Sequence, residues 1–391
     1  MVAATRSKEA VLAPPFAEDT SNDNQRFRTL SCGAVFESAG GQGVSTALGL
    51  AGFTNLDVVR NPALGSKPYL GRLILHQTIS LGEETVHSER NFLSLRTEQS
   101  ERRIEFRAGK MSIADFFDVN GVGSDSHLQF MNWTVDNNGA YDYAADTRGY
   151  TFAGVAEYHS RNWSTRFAEA LMPRVANGIN LDWDLRRARA ENIEVELRLS
   201  LARTRPTTIR LLSYVNHADM GSYREAIHSF LEGHDPRPDI EAHRRQGHVK
   251  YGFGFNAEQE LANGVRAFAR AGWNEGHNES FAYTEVNGTA AVGADIGGKP
   301  WQRSRDKLGV ALLGNSISGD HRRYLQLGGR GFLLGDGTLT YGREKIFETY
   351  YTARIKQGVY VSFDLQHISN PGYNRDRGPV VVPSVRLHLD L

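Results

Sequence analysis

Residues 347–391 read FETYYTARIKQGVYVSFDLQHISNPGYNRDRGPVVVPSVRLHLDL, an alternation of apolar and polar side chains that runs to the last residue. Successive side chains of a strand point to opposite faces. Val359, Val361, Phe363 and Leu365 therefore share one face, and Tyr360, Ser362, Asp364 and Gln366 the other. At the terminus Val385, Leu387, Leu389 and Leu391 lie opposite Arg386, His388 and Asp390. Such a strand needs two very different environments. An antiparallel sheet with one face on a core and one in water supplies them, and so does a transmembrane barrel with lipid outside and a wet lumen inside.

Repetition favours the barrel. Ile193, Val195, Leu197, Leu199 and Leu201 alternate with Glu194, Glu196, Arg198 and Ser200, and Ile104, Phe106 and Ala108 with Arg103, Glu105 and Arg107. Similar runs occupy 69–79 (polar face Arg72, His76, Thr78), 209–215 (Arg210, Tyr214, Asn216) and 347–355 (Glu348, Tyr350, Thr352, Arg354). Strands are expected at 27–36, 69–80, 91–109, 149–159, 163–172, 192–202, 207–217, 248–259, 264–274, 279–287, 307–313, 324–334, 345–355, 358–369 and 380–391. The fold class is thus all-β, an antiparallel transmembrane barrel of about 14 to 16 strands. The polar segments 111–147, 173–190 and 220–246 are long for loops without a task, and are expected to lie outside or fold into the lumen.

Composition agrees. Forty Gly, 19 Phe and 15 Tyr suit many short strands with tight turns and aromatic girdles. Lys plus Arg and Asp plus Glu number 45 each, so no net field attracts nucleic acid. The lone Cys32 forms no intrachain disulfide. No stretch approaches the length of a membrane helix. Residues 1–26 are polar and contain Pro, and are expected to be disordered or irregular, with one barrel domain over 27–391. Residues 1–25 carry no sustained apolar segment of the export-signal kind, so this start is expected to be a processed or altered form, or a misplaced initiation codon.

Chemistry-bearing motifs are sparse. Gly40, Gly41, Gly43, Gly49 and Gly52 match no phosphate-binding pattern and read as a barrel loop. His217, His228, His234, His243 and His248 show no metal-ligand spacing, and no nucleophile elbow appears, so neither metal nor cofactor is expected. A glycoside-active enzyme needs two carboxylates, for which Asp115/Asp118 and Asp182/Asp184 are paper pairs. That enzyme and a soluble β-rich sugar-binding protein are the alternatives.

Five stretches carry a resemblance: AGKMSIADFFDVN (108–120), LQFMNWTVDNNGAYDYAADTRGYTFAGVAEYH (128–159), LMPRVANGINLDWDLRRARAENIEVELR (171–198), LLGDGTLTYGREKIFETYY (333–351) and NPGYNRDRGPVVVPSVRLHLDL (370–391). In content and order they resemble the carbohydrate-selective porins of the OprB type, from about residue 35 onward. The resemblance implies an outer-membrane barrel of typically about sixteen strands. Such a barrel passes monosaccharides and small sugars down their gradients without chemistry, works as a monomer, contacts outer-membrane lipids and is inserted by barrel-assembly machinery. The family carries a signal peptide and early strands upstream of the segment matched by 34–52, and such barrels usually end in Phe or Trp where this chain has Leu391.

A sugar offers hydroxyls at its edge and weakly apolar faces, so a selective lumen needs charged donors and acceptors with an aromatic surface. Arg103, Glu105 and Arg107 share a face, with Lys110 beyond; Arg72, His76, Glu194, Glu196 and Arg198 have the same geometry. Segment 111–147 is the candidate constriction, with Asp115, Asp118, Asn132, Trp133 and Asp136. The mixed-charge run 182–189, including Trp183 and Arg186, suits a polar ring at the mouth or a solvated loop. Trp133 and Trp183 are candidates for stacking on a sugar or for anchoring at the interface.

Overall fold

The computed structural model describes residues 6–8, 28–39, 49–57, 61, 64–87, 93, 97–201 and 205–390. Its strands are β1 (Arg6–Lys8), β2 (Arg28–Ser38), β3 (Tyr69–Ser80), β4 (Thr85–His87), β5 (Glu98–Ser100), β6 (Arg103–Met111), β7 (Thr151–His159), β8 (Trp163–Leu171), β9 (Arg189–Leu201), β10 (Arg205–Gly221), β11 (Arg244–Ala262), β12 (Val265–Asn274), β13 (Gly288–Gly297), β14 (Lys307–Ser316), β15 (Glu344–Lys356), β16 (Val359–Ser369) and β17 (Val380–Leu389). Fifteen form one antiparallel sheet in chain order, with β1 and β17 at its two ends, while β4 and β5 pair separately as a hairpin between β3 and β6. Three short helices lie between strands: α1 (Trp133–Asp136), α2 (Tyr223–Leu231) and α3 (Gly319–Gln326). None is long and apolar enough to cross a membrane.

Connections alternate in length. Short turns join β7 to β8, β9 to β10, β11 to β12 and β15 to β16, whereas the links β6–β7, β8–β9, β10–β11, β12–β13, β14–β15 and β16–β17 are long. In outer-membrane barrels the short turns are periplasmic and the long loops external, which orients the molecule.

The sheet is inverted relative to a water-soluble core. Phe106, Ile193, Leu211, Phe253, Val292, Leu312, Phe363 and Leu387 stand exposed on the outer face, while Glu105, Glu194, Asn216, Lys250, Asn256, Arg270, Asn315, Glu348 and Gln366 are buried on the inner one. Period-2 alternation produces both faces at once. In lipid the outer face needs no partner, and the strand ladder satisfies the backbone.

What the inner face encloses is the external segment between β6 and β7. Within it the Phe116 carbonyl accepts from Arg166 on β8 at 2.7 Å, and Asn120 donates to Asn256 on β11 at 2.7 Å. The Leu128 carbonyl accepts from Thr352 on β15 at 2.7 Å, Asn132 donates to Gln366 on β16 at 3.0 Å, and the Ser126 carbonyl accepts from Arg386 on β17. One segment thus touches strands from both halves of the sheet, which requires the sheet to curl around it. Its carbonyls and amides exchange water for wall side chains, so burying this loop leaves those groups paired. Gly272 on β12 allows the closest approach: a Cβ there would meet Asn138 Oδ1 at 2.0 Å.

Three strand expectations need correction. Residues 91–109 are not one strand: Glu98–Ser100 pairs with β4 in the separate hairpin, and the strand of the large sheet begins at Arg103. Residues 279–287 form a buried loop, and the strand is the following Gly288–Gly297; residues 324–334 hold the end of α3 and a loop. β13 reads GTAAVGADIG, too rich in small residues for alternation to show, whereas 279–287 packs against the inner loop through Phe281, Tyr283 and Thr284. The expectation for residues 1–26 lies outside the described residues apart from Arg6–Lys8, which pairs with β2. The Gly40–Gly43 loop also lies outside them, although Gly49–Asp57 is described and enters the lumen through buried Ala51 and Phe53.

Candidate functional site

The inner wall and the inner loop build two distinct polar regions. The first is a belt of ion pairs crossing from β3 to β11. His76 on β3 meets Glu105 on β6 at 2.7 Å, and Arg107 joins Glu105 to Glu157 on β7. Arg166 on β8 faces Glu157 at 3.4 Å, Glu194 at 2.7 Å and Glu196 at 3.6 Å. Arg210 on β10 links Glu196 at 2.8 Å to Glu258 on β11 at 2.9 Å. Register brings these residues together: Glu105, Glu157, Arg166 and Glu194 are directly opposed across successive strands. Arg103 pairs with Glu105, and Arg198 pairs with Glu196 and reaches the Ser160 carbonyl in the β7–β8 turn, at the periplasmic end. Glu105, Glu157 and His159 bring ligand atoms within 4.8 Å of one another, but Arg107 bridges the two carboxylates and supplies the positive charge a cation would bring.

The belt holds the loop. Glu194 accepts from the Asp118 amide at 2.7 Å and Glu258 from the Gly121 amide at 2.7 Å. Asp118 turns the chain in the left-handed region at φ 59°, accepts from the Asn138 amide at 2.8 Å and pairs with Arg270 at 3.0 Å. Burial raises the Asp118 carboxyl above its usual range and Arg270 opposes the rise. Arg270 also donates to the Val135 and Asp136 carbonyls at 2.6 and 2.7 Å. Asn132 caps α1, accepting from the Thr134 amide at 3.0 Å.

The second region is a cavity of about 420 Å³ beside this loop, within the range of small-molecule sites, about 300 to 1,000 Å³. One side is charged. Arg72 grips Asp115 through two bonds of 2.7 and 2.8 Å and reaches Glu37 at 2.8 Å and Tyr150 at 3.1 Å. Arg148 lies 4.1 Å over the Tyr69 ring, and Lys110 donates to the Leu70 carbonyl at 2.9 Å below the Tyr150 ring. The other side is aromatic: Trp133 stacks on Tyr283 at 5.3 Å with planes 4° apart, and Tyr143 tilts against Tyr283 at 4.9 Å. Asp57, Asp125 and Asp136 add acceptors to the lining. Burial pushes the Asp136 carboxyl well above its usual range, against the pull of Arg270.

Of the residues singled out from sequence, Arg72, Asp115, Trp133 and Asp136 meet in this cavity, and Lys110 lies against the ring of its Tyr150. Arg103, Glu105, Arg107, Glu194, Glu196 and Arg198 belong to the belt, and Asp118 and Asn132 fasten the loop to the wall. Trp183 is 64% exposed and packs on Phe152, and Arg186 is exposed in the same external loop, so neither reaches the cavity. Glu37, Tyr69, Tyr143, Tyr150 and Tyr283 escaped the sequence reading. Tyr69 begins a recognised strand; Tyr283 lay in a segment misread as one. The paper pairs of carboxylates are engaged: Asp115 with Arg72, Asp118 with Arg270, and Asp182 and Asp184 with backbone amides of their own turn.

Comparison with known proteins agrees with this architecture. The model of the family described as carbohydrate-selective porin, OprB family, matches residues 19–391. The structure is similar to that of Pseudomonas putida OprB at high pH, with a TM-score of 0.67 at 14% identity over 92% of this chain and 82% of that one. Acinetobacter baumannii OccAB1 superposes at a TM-score of 0.49 with 9% identity over 100% of this chain and 90% of that one. No curated protein matches. The OprB likeness concerns the fold, and the family model carries the function. The chain belongs to the OprB family of carbohydrate-selective porins, outer-membrane barrels that carry sugars across the Gram-negative outer membrane.

Proposed function

We propose that the cavity between Arg72–Asp115 and the Trp133–Tyr143–Tyr283 panel is where this porin selects its sugar, and that monosaccharides and other small sugars cross it by passive diffusion. The observation that carries this reading is the pairing, in one cavity, of a charged side with an aromatic side. Charge-assisted bonds to hydroxyls are about twice as strong as neutral ones, and aromatic faces suit the C–H faces of a pyranose. Arg72 is preorganised by Asp115 and Glu37, so a passing hydroxyl meets donors already fixed in place. The engagement of the acidic pairs in structural bonds supports a channel without catalysis. We further propose that the barrel works as a monomer, is bathed in outer-membrane lipid and is inserted by barrel-assembly machinery.

Planar-bilayer conductance of detergent-refolded protein tests the proposal. Stepwise channels that glucose partly blocks are expected; folded protein whose conductance is indifferent to glucose contradicts it.

A further inference from the structure

The lipid-facing wall carries a recess that the channel does not use. Strand register places Phe255, Ala271, Ala290, Gly314 and Lys345 in one row across β11 to β15. All five point outward, and the three central members are small. Large side chains at either end and missing side-chain volume between them leave an outward groove of about 590 Å³. A smooth barrel wall offers an acyl chain contact on one side; a groove of this depth offers it on three, and dispersion scales with the number of atoms in contact.

The groove has a charged end. Arg343, Lys345 and His367 line it just where β15 begins and β16 finishes, next to long loops and hence at the external edge of the membrane. At this end Arg224 is neutralised by Asp320, Arg245 by Glu225 and Arg377 by Asp336. Arg343, Lys345 and His367 have no ion-pair partner among the described residues, and Arg343 and Lys345 are exposed.

We propose that this groove binds a phosphate-bearing lipid of the outer leaflet, with an acyl chain along the Ala271–Ala290–Gly314 floor and its phosphate on Arg343 and Lys345. Charge complementarity selects the occupant: basic residues at a membrane surface attract anionic headgroups. A second copy of the chain is disfavoured, because a two-fold contact across this patch would set the same unneutralised bases near one another.

The test is native mass spectrometry of the detergent-solubilised full chain titrated with diphosphoryl lipid A, monophosphoryl lipid A and phosphatidylethanolamine. Occupancy should fall in that order. The double variant Arg343→Glu/Lys345→Glu should lower diphosphoryl lipid A binding at least about tenfold, since each base near a charged headgroup contributes measurably. Ala290→Leu, which fills the groove without touching charge, should lower all three. Heat-modifiable migration on gels confirms folding of each variant. Equal occupancy by all three lipids in the unaltered protein, binding indifferent to both variants, or a dimer that the charge reversal disrupts would each overturn the proposal.

Discussion

The ion-pair belt and the loop-lined cavity contain the same residue types on the same inner wall, yet they do different work. In the belt each charge has an opposite charge beside it on its own or a neighbouring strand: Glu105 has Arg103 and Arg107, and Glu196 has Arg166, Arg198 and Arg210. In the cavity Arg72 is equally well paired, but its pair stands beside empty space and opposite an aromatic panel. Charge on an inward face therefore marks the lumen. Only adjacent space and a complementary surface make it a site for a ligand.

The sharpest way to break the comparison is to cut the tie between the two regions. Arg270 is 2% exposed and holds Asp118 together with two carbonyls of the inner loop. Removing one partner of a buried pair costs about 3 to 5 kcal/mol. Arg270→Ala should free the loop, so that limited proteolysis cuts within 112–147 where the unaltered protein resists, and conductance should rise. Unchanged proteolysis would deny that the belt side anchors the loop.

The aromatic panel allows a finer probe. Tyr283→Leu keeps the volume partly filled but removes the ring stacked on Trp133; loss of one aromatic contact, about 0.5 to 1.5 kcal/mol, should weaken glucose block about twofold to twelvefold. A block unaltered by this change would move the selecting surface elsewhere.

Acidity separates the loops from the wall in another way. Glu285, in the β12–β13 loop, accepts from the Leu333 and Leu334 amides at 2.7 and 2.6 Å, and burial pushes its carboxyl up to about 7. Its folded value lies above the ordinary value of 4.5, so the stability it contributes is fully present below about 4.5 and is lost as pH rises through about 7. Hydrogen exchange in 329–334, corrected for its intrinsic pH dependence, should therefore speed up between pH 5 and pH 8, and Glu285→Gln should flatten the trend. The smallest effect belongs to the external loop: Trp183→Ala and Arg186→Ala should change stability by less than about 0.5 kcal/mol and leave glucose block as it was.

How much of this the sequence could reveal follows from the range of each signal. Alternation is local, so the faces of Arg103–Arg107, Glu194–Arg198 and Ser362–Gln366 were legible without any partner. β13 was not, because Ala and Gly on both faces erase the contrast that marks a strand. The inner loop was legible as a long polar segment after a charged strand, but its attachments were not: Asn132 meets Gln366, 234 residues away, and Tyr283 meets Trp133, 150 residues away. Arg72 and Glu105 look alike in sequence. Only packing shows that one borders a cavity and the other is enclosed by Arg103, Arg107 and His76.

The central claim, that sugar is selected at the cavity and the belt is structural, is tested most directly by glucose titration of single-channel conductance in Arg72→Ala and Arg166→Ala side by side. Loss of a charge-assisted contact should weaken glucose block about tenfold in Arg72→Ala, while Arg166→Ala should lower the temperature of heat modification and leave the block intact. Weaker block in Arg166→Ala with an unchanged Arg72→Ala would contradict the account.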